Sequence, residues 1–347
     1  MTDYIIKEVV MEQPISPQRK KHAVLRIILI SAAAFLIAIT VLTVSTYFPV
    51  SIAVRIAFMN GPAVAPDNYE NIKPRVSATK NLTYPSKFKD NQADIYIPKD
   101  KEGPFPVVLW IHGGAFVGGD KRDVEIYATM LASEGIAVAA INYRRAPEAK
   151  YPVPVVQTGE AYLWLREIAE TYQIDITRLV LAGDSAGAHV AAQFAAVQSN
   201  ERYAVEMSME QIVPLKELKA ALLFCGPFNI SKIVEIDSSA VSFLMERAAW
   251  AYFGTKGWAG KFSAQATITD HITPSFPPAF VSDGNTLSFE EHGRELADTL
   301  QKNNVPVERC FFSADAEVTK HEYQFVMNTP AGRESFSRTL AFIQKYA

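Results

Sequence analysis

The 347-residue chain has only two cysteines, Cys225 and Cys310, and they lie in different apolar runs. Neither a C-x-x-C pair nor a Cys/His ligand spacing accompanies them, so neither a zinc site nor a redox dithiol is supported. Two buried small hydrophobes fit better. Net charge is scarce as well, since 34 basic and 37 acidic residues leave only −3. The chain lacks the basic stripe interleaved with aromatics that a phosphate backbone requires, which argues against nucleic acid as a partner. Phosphate-binding loops, internal repeats and low-complexity tracts are missing too. What is present, 49% hydrophobic and 20% charged residues, is the composition of a folded domain with ample core.

One absence is local. No charged residue occurs between Arg26 and Arg55, and "IILISAAAFLIAITVLTV" fills much of that interval. A spanning helix needs about 20 apolar residues, whereas the apolar part of a cleavable signal is about 7–15 long. The stretch therefore reads as a retained single-pass anchor in a cell membrane. A long signal peptide cut near "SAAA" or "STY" and a buried helix are the alternatives. Arg19, Lys20, Lys21 and Arg26 crowd one flank, while the other offers only Arg55 before Lys73. This bias predicts a cytoplasmic N-terminus and an extracytoplasmic globular part. The organisation expected is a tail over 1–22, an anchor over 23–50, a connector and cap contribution over 51–80, and a catalytic domain over 81–347.

From "ADIYIP" onward, short runs such as "FPVVLWIHGG", "GIAVAAINYR", "RLVLAGDSAG", "KAALLFCGPF", "PPAFVSDGN" and "VERCFF" are apolar at nearly every position. Strands buried on both faces look like this and belong to parallel sheets. Between them "VEIYATMLASEG", "TGEAYLWLREIAETY", "AGAHVAAQFAAVQS" and "FEEHGRELADTLQKNN" carry apolar residues at helical spacing. The alternation predicts an α/β fold, a mostly parallel sheet with helices on both faces, and a site beyond the carboxyl ends of the strands. Residues 229–272 interrupt the rhythm and read as a cap insertion over that rim.

Two glycine clusters follow apolar strands. In "LVLAGDSAGAHVAAQ" a strand meets G-x-S-x-G and then a helix, the setting a nucleophile elbow needs. Ser185 would stand at the apex of a tight turn, with the Ala186 amide aimed where an attacked carbonyl gathers charge. In "VVLWIHGGAF" the Gly113 and Gly114 amides have no ladder partner and could approach the same oxyanion. Either motif alone could be a structural turn; the two together, each on its own strand, point to acyl transfer.

With "HGGAF", "INYRRAPEAKYPVPV", "GDSAGAHVAA" and "PSFPPAF" in this order, the chain resembles the hormone-sensitive-lipase branch of the α/β-hydrolases from about Asn81 to its end. The resemblance implies an eight-stranded sheet, a helical cap and hydrolysis of carboxylic esters with short to medium acyl chains. Ala115 stands where the family often has a third glycine. The fold's chain order of serine, acid and histidine excludes His22 and His112 as the base. His189 lies on the elbow helix turned away from its tip, and His271 and His292 precede the last strand. His321 in "TKHEYQF" follows that strand and matches the family's histidine.

The acid is less legible. The family's aspartate falls at Leu287, which cannot orient an imidazole. Asp283 at a strand end is the favoured substitute, with Glu290 and Glu291 as alternatives at a helix start. No metal or organic cofactor is expected. The reading is a membrane-anchored serine esterase acting on a small-molecule ester, its lipid bilayer contact made by the N-terminal helix. The alternatives are a deacetylase or amidase acting on a cell-envelope substrate, and a catalytically silent ligand binder. "SFLMERAAWAYF" suggests an apolar acyl pocket, or ordinary cap packing.

Overall fold

The computed structural model describes residues 17–57, 61, 63–235 and 238–347. Residues 1–16 of the expected tail lie outside the described residues. The chain divides into two compact units at Pro49 and Val50. In the first, α1 (Pro17–Ser45) contains the apolar stretch Val24–Ser45, 22 residues long, the one described helix long and apolar enough to cross a membrane. Thr40, Thr43 and Ser45 each return a hydroxyl hydrogen bond to the carbonyl four residues earlier. Their polar groups are thereby satisfied within the helix, as an apolar surrounding demands.

Helix α2 (Phe48–Ala57) leads into the second unit, and α3 (Tyr69–Ile72) follows. The strands are β1 (Val76–Thr83), β2 (Gln92–Pro98), β3 (Phe105–Ile111), β4 (Ala137–Ile141), β5 (Ile174–Asp184), β6 (Leu218–Phe224), β7 (Ala279–Asp283) and β8 (Val307–Phe311). They form one sheet in the order β1-β2-β4-β3-β5-β6-β7-β8. Every neighbouring pair from β4 to β8 is parallel, and only β2 runs against its neighbours. This is the α/β-hydrolase sheet the sequence implies. Between the strands run α4 (Glu125–Ser133), α5 (Val153–Ile168), α6 (Ala186–Ser199), α7 (Glu201–Met207), α8 (Ser239–Phe253), α9 (Trp258–Ala266) and α10 (Glu290–Lys302), and α11 (Pro330–Tyr346) follows β8.

The continuous apolar runs have their cause here. On one face Val108, Trp110, Val138, Val180, Leu222 and Phe280 pack with Tyr127 and Leu131 of α4 and Phe342 of α11. Alternate residues of the same strands point to the other face, where α6 packs on β3, β5 and β6. The interval between β6 and β7 carries α8 and α9, in the place expected for the insertion at 229–272.

The domain boundary expected at residue 81 needs correction. It falls inside β1, whose ladder to β2 begins at Val76 and resumes after a bulge between Thr79 and Leu82. Asn81, at φ +58, sits in that bulge and donates its amide to Asp94 Oδ1 at 2.7 Å. The buried Lys121 ammonium reaches both Asp94 Oδ1 (2.9 Å) and Asn81 Oδ1 (2.8 Å). Removing the cation leaves a buried carboxylate without its counter-ion, which costs about 3–5 kcal/mol. Lys121→Met should therefore lower the unfolding free energy by about that amount, read from the urea midpoint, whereas Lys80→Met, at a half-exposed pair with Glu125, should change it by under about 1 kcal/mol.

Candidate active site

The end of β5 passes into α6 through Asp184, Ser185 and Ala186. Ser185 has φ +51 and ψ −121, a strained conformation that only a tightly packed turn can hold. The flanking glycines are the condition for that packing. A Cβ on Gly187 would lie 2.0 Å from the Ile111 carbonyl oxygen, and one on Gly183 would lie 2.3 Å from the Gly187 carbonyl oxygen. The chain therefore crosses itself where only hydrogen atoms fit. The Ser185 amide bonds the Phe224 carbonyl at 2.8 Å, so β6 also fixes the turn.

The loop after β8 brings His321 to this apex, with Nε2 2.9 Å from Ser185 Oγ. On the other side of the ring, Nδ1 lies 2.8 Å from the hydroxyl of Ser288. That hydroxyl in turn donates a short hydrogen bond to Asp283 Oδ1, which also accepts the Gly284 amide at 2.8 Å. Asp283, at the end of β7, reaches His321 only through Ser288. A hydroxyl has a single proton, and the carboxylate takes it; His321 Nδ1 must then donate to Ser288 Oγ, which leaves Nε2 as the acceptor facing Ser185. Burial pushes Asp283 up to about 7 and His321 down to about 4. The first proton taken up on acidification thus goes to the carboxylate end of the chain.

Leu287, at the family's acid position, is 56% exposed at φ +49, a turn residue pointing away. Glu290 pairs with Arg294 one turn along α10, and Glu291 faces solvent. The other histidines are held elsewhere. His112 stacks on Tyr143, the His189 ring bonds the Ala266 carbonyl, His271 stacks on Tyr203, and His292 accepts the Asn229 amide.

The two glycines expected at the oxyanion differ. Gly113 donates its amide to Asp184 Oδ2 at 2.7 Å, so that donor is committed, a correction to its expected role. The amides of Gly114, Ala115 and Ala186 find no acceptor among the described residues. Ala115 and Phe116 both have positive φ, and Phe116 stacks on Tyr252 of α8 with ring centres 4.0 Å apart. Ser185, Ala115 and Ala186 open onto a narrow apolar cleft of about 10 Å³ with Pro227, Met245, Ala249 and Phe289. The cap stretch "SFLMERAAWAYF" thus contributes to this cleft through Met245 and Ala249.

Three residues of the site escaped the reading of the sequence. Ser288 follows the mismatched Leu287 and carried no motif. Asp184 lies inside G-D-S-A-G, a motif that assigns it no role; its Oδ1 accepts the Trp110 indole at 2.7 Å. Glu322, next to His321, is buried with its carboxyl against Asp184 and 3.9 Å from His321 Nε2. Burial raises Asp184 to about 6, and burial with the nearby Asp184 charge holds Glu322 well above the usual carboxyl range. Cys225, Asp283 and His321 also bring possible metal-ligand atoms within 4.8 Å of one another. Burial raises the Cys225 thiol well above its ordinary pKa, which disfavours the thiolate a metal would need.

A serine at a strained strand-to-helix elbow, hydrogen-bonded to a histidine from beyond the last strand, defines a serine hydrolase geometry on the α/β-hydrolase fold. Residues 93–289, more than half of the chain, match the BD-FAE family model, and the chain belongs to that family. A "Probable isoprenylcysteine alpha-carbonyl methylesterase ICME" of Oryza sativa subsp. japonica is 34% identical over 146 residues, 42% of this chain and 34% of that protein. "Probable carboxylic ester hydrolase LipM" of Mycobacterium tuberculosis is 24% identical over 273 residues, 77% of this chain and 61% of that one. The chain thus spans about a third of the first relative's length and three-fifths of the second's. Among solved structures, Esterase B from Lactobacillus rhamnosis superposes with a TM-score of 0.68 at 20% identity, covering 94% of this chain and 97% of that one. An esterase of Pyrobaculum calidifontis gives 0.63 at 23% identity, over 85% and 93%. These likenesses establish the fold.

The Asp184 arrangement is directly testable. Asp184→Ala leaves the Trp110 indole and the Gly113 amide as buried donors without acceptors, at about 1–3 kcal/mol each. Urea unfolding should register a loss of about 2–6 kcal/mol, and Asp184→Asn, which keeps one carbonyl acceptor, should lose less.

Proposed function

We propose that the chain is a serine carboxylesterase that cleaves esters of short to medium acyl chains through an acyl-enzyme. The observation that carries this reading is the directed hydrogen-bond chain from Asp283 through Ser288 and His321 to Ser185. The matches to proteins named as carboxylic ester hydrolases support it. Ser185 Oγ attacks the ester carbonyl carbon while His321 Nε2 takes its proton. The tetrahedral oxyanion is held by the uncommitted amides of Ala186, Gly114 and Ala115, the last replacing Gly113. The imidazolium, steadied through Ser288 by ionised Asp283, then protonates the departing alkoxide as the carbonyl carbon–oxygen bond breaks. Water enters by the same route, giving its proton to His321 and releasing the acid with Ser185 restored. The cleft beside Ser185 is narrow and apolar, which supports a short acyl group over a long one. We also infer that α1 anchors the protein in a membrane with the catalytic unit on the extracytoplasmic side. The charge asymmetry around the apolar stretch supports this orientation.

The test is hydrolysis of p-nitrophenyl acetate and butyrate. Turnover should vanish in Ser185→Ala; turnover that survives the substitution, or no turnover in the parent chain, overturns the esterase reading. Because Asp283 accepts a proton near pH 7 and must be ionised to orient the relay, kcat/KM should fall as pH drops through about 7. Asp283→Asn should remove that limb and cost about 10²–10⁴ in rate. Ser288→Ala breaks the same chain and should cost a similar factor; near-full activity in Ser288→Ala would refute the relay.

A further inference from the structure

Helix α2 has two unlike faces. Val50, Ser51 and Val54 are buried, whereas Ile52 and Ile56, one turn apart, are 43% and 63% exposed, and Phe48 continues the outer stripe one turn earlier. Arg55 is not part of that stripe. It donates to the Val117 carbonyl (2.6 Å), the Ala146 carbonyl (2.7 Å) and Glu148 Oε1 (2.8 Å). Its backbone is close enough to the same loop that a Cβ on Gly118 would lie 3.4 Å from Arg55 Cα. Helix α2 is therefore fixed to the loop that carries Gly114 and Ala115, at the rim of the site.

Only Thr46 and Tyr47 separate Phe48 from Ser45, where the membrane-spanning candidate ends. Each residue extends the chain by at most about 3.6 Å, so α2 must begin within about 11 Å of the end of that span. Tyr47 is of the residue type favoured at a lipid–water boundary. An apolar helix face that lies at a lipid–water boundary packs against lipid.

We propose that the outer face of α2, Ile52 and Ile56 with Phe48, lies in the boundary layer of the bilayer and holds the rim of the site against it. The esters taken are then amphiphiles drawn from that surface, a short acyl group on a long, lipid-like alcohol. The acyl group enters the narrow cleft beside Ser185, and the alcohol chain remains in the lipid. The substrate class rests on the esterase reading above; the lipid contact does not.

The experiment uses the full chain in phosphatidylcholine vesicles, labelled with an environment-sensitive fluorophore at Ile52→Cys, Ile56→Cys or, as an exposed reference on α7, Val205→Cys. Cys225 and Cys310 are buried and stay unlabelled. Labels at 52 and 56 should be quenched by spin-labelled lipids and protected from aqueous iodide, with the reverse at 205. Iodide access at 52 and 56 equal to that at 205 overturns the proposal. Protection from iodide without quenching by lipid also overturns it, since a second protein copy then covers the face. Ile52→Asp with Ile56→Asp should lower acetate release from a long-chain alkyl acetate dissolved in the vesicles by about tenfold or more, while hydrolysis of dissolved p-nitrophenyl acetate stays near the parent value. Equal loss on both substrates overturns the substrate class. If the parent chain leaves p-nitrophenyl acetate intact, the esterase reading fails, and the fluorophores still decide the lipid contact.

Discussion

The geometry of the site depends on one buried carboxylate. Asp184 receives the Trp110 indole from β3 on one oxygen and the Gly113 amide on the other, and its charge lies against the Glu322 carboxyl beside His321. Three segments remote in sequence thus share one anchor next to Ser185. Burying a carboxylate is costly unless donors surround it, and here each donor belongs to an element that the site must position. The Gly113 bond also sets the course of the following loop. With that amide turned to Asp184, the free amides fall one residue later, at Gly114 and Ala115, and Ala115 borders the cleft with Ser185.

The same economy of position explains Ser288. Asp283 ends β7 and is wholly buried, four residues before the point where a loop carboxylate would meet the imidazole directly. The turn through Leu287 swings that later position out to solvent, and the next residue folds back. A hydroxyl spans what the short carboxylate cannot. It transmits orientation without carrying charge, so the electrostatic support for His321 comes from a carboxylate one hydrogen bond further away. The cost appears in the opposite shifts of the two groups. Burial raises Asp283 and lowers His321, and the distance keeps either from fully compensating the other.

Much of this was legible because it follows from periodicity and local motif. Continuous apolar runs gave the parallel strands, G-x-S-x-G behind one of them gave the elbow, and chain order with a downstream loop gave His321. The residues that stayed hidden act through bonds between segments. Gly113 looked free because nothing nearby in sequence could take its amide; its acceptor is 71 positions away. Ser288 was invisible for a related reason, since a serine beside an exposed leucine is an ordinary turn until its hydroxyl is found between Asp283 and His321. The boundary drawn at residue 81 failed on a bulge: Asn81 at φ +58 interrupts the alternation of β1 and made its first half look like connector.

Of the eleven non-glycine residues at positive φ among the described residues, six gather beyond the carboxyl ends of the strands. Non-glycine residues at positive φ follow five strands in turn: Ala115 and Phe116 after β3, Ser185 after β5, Cys225 after β6, Leu287 after β7 and Glu322 after β8. Each such residue costs of order 1–3 kcal/mol and persists only where its surroundings over-determine it. The surroundings here are specific: Tyr252 against Phe116, the Phe224 carbonyl on the Ser185 amide, Ser282 on the Cys225 amide, and the Cys225 sulfur on the Glu322 amide. These restraints link neighbouring strand ends to one another. The strained residues are thus held as a connected rim, and a disturbance beside one of them, such as the pull of Arg55 on Val117, one residue past Phe116, bears on the loop beside Ser185 rather than being absorbed by a flexible turn.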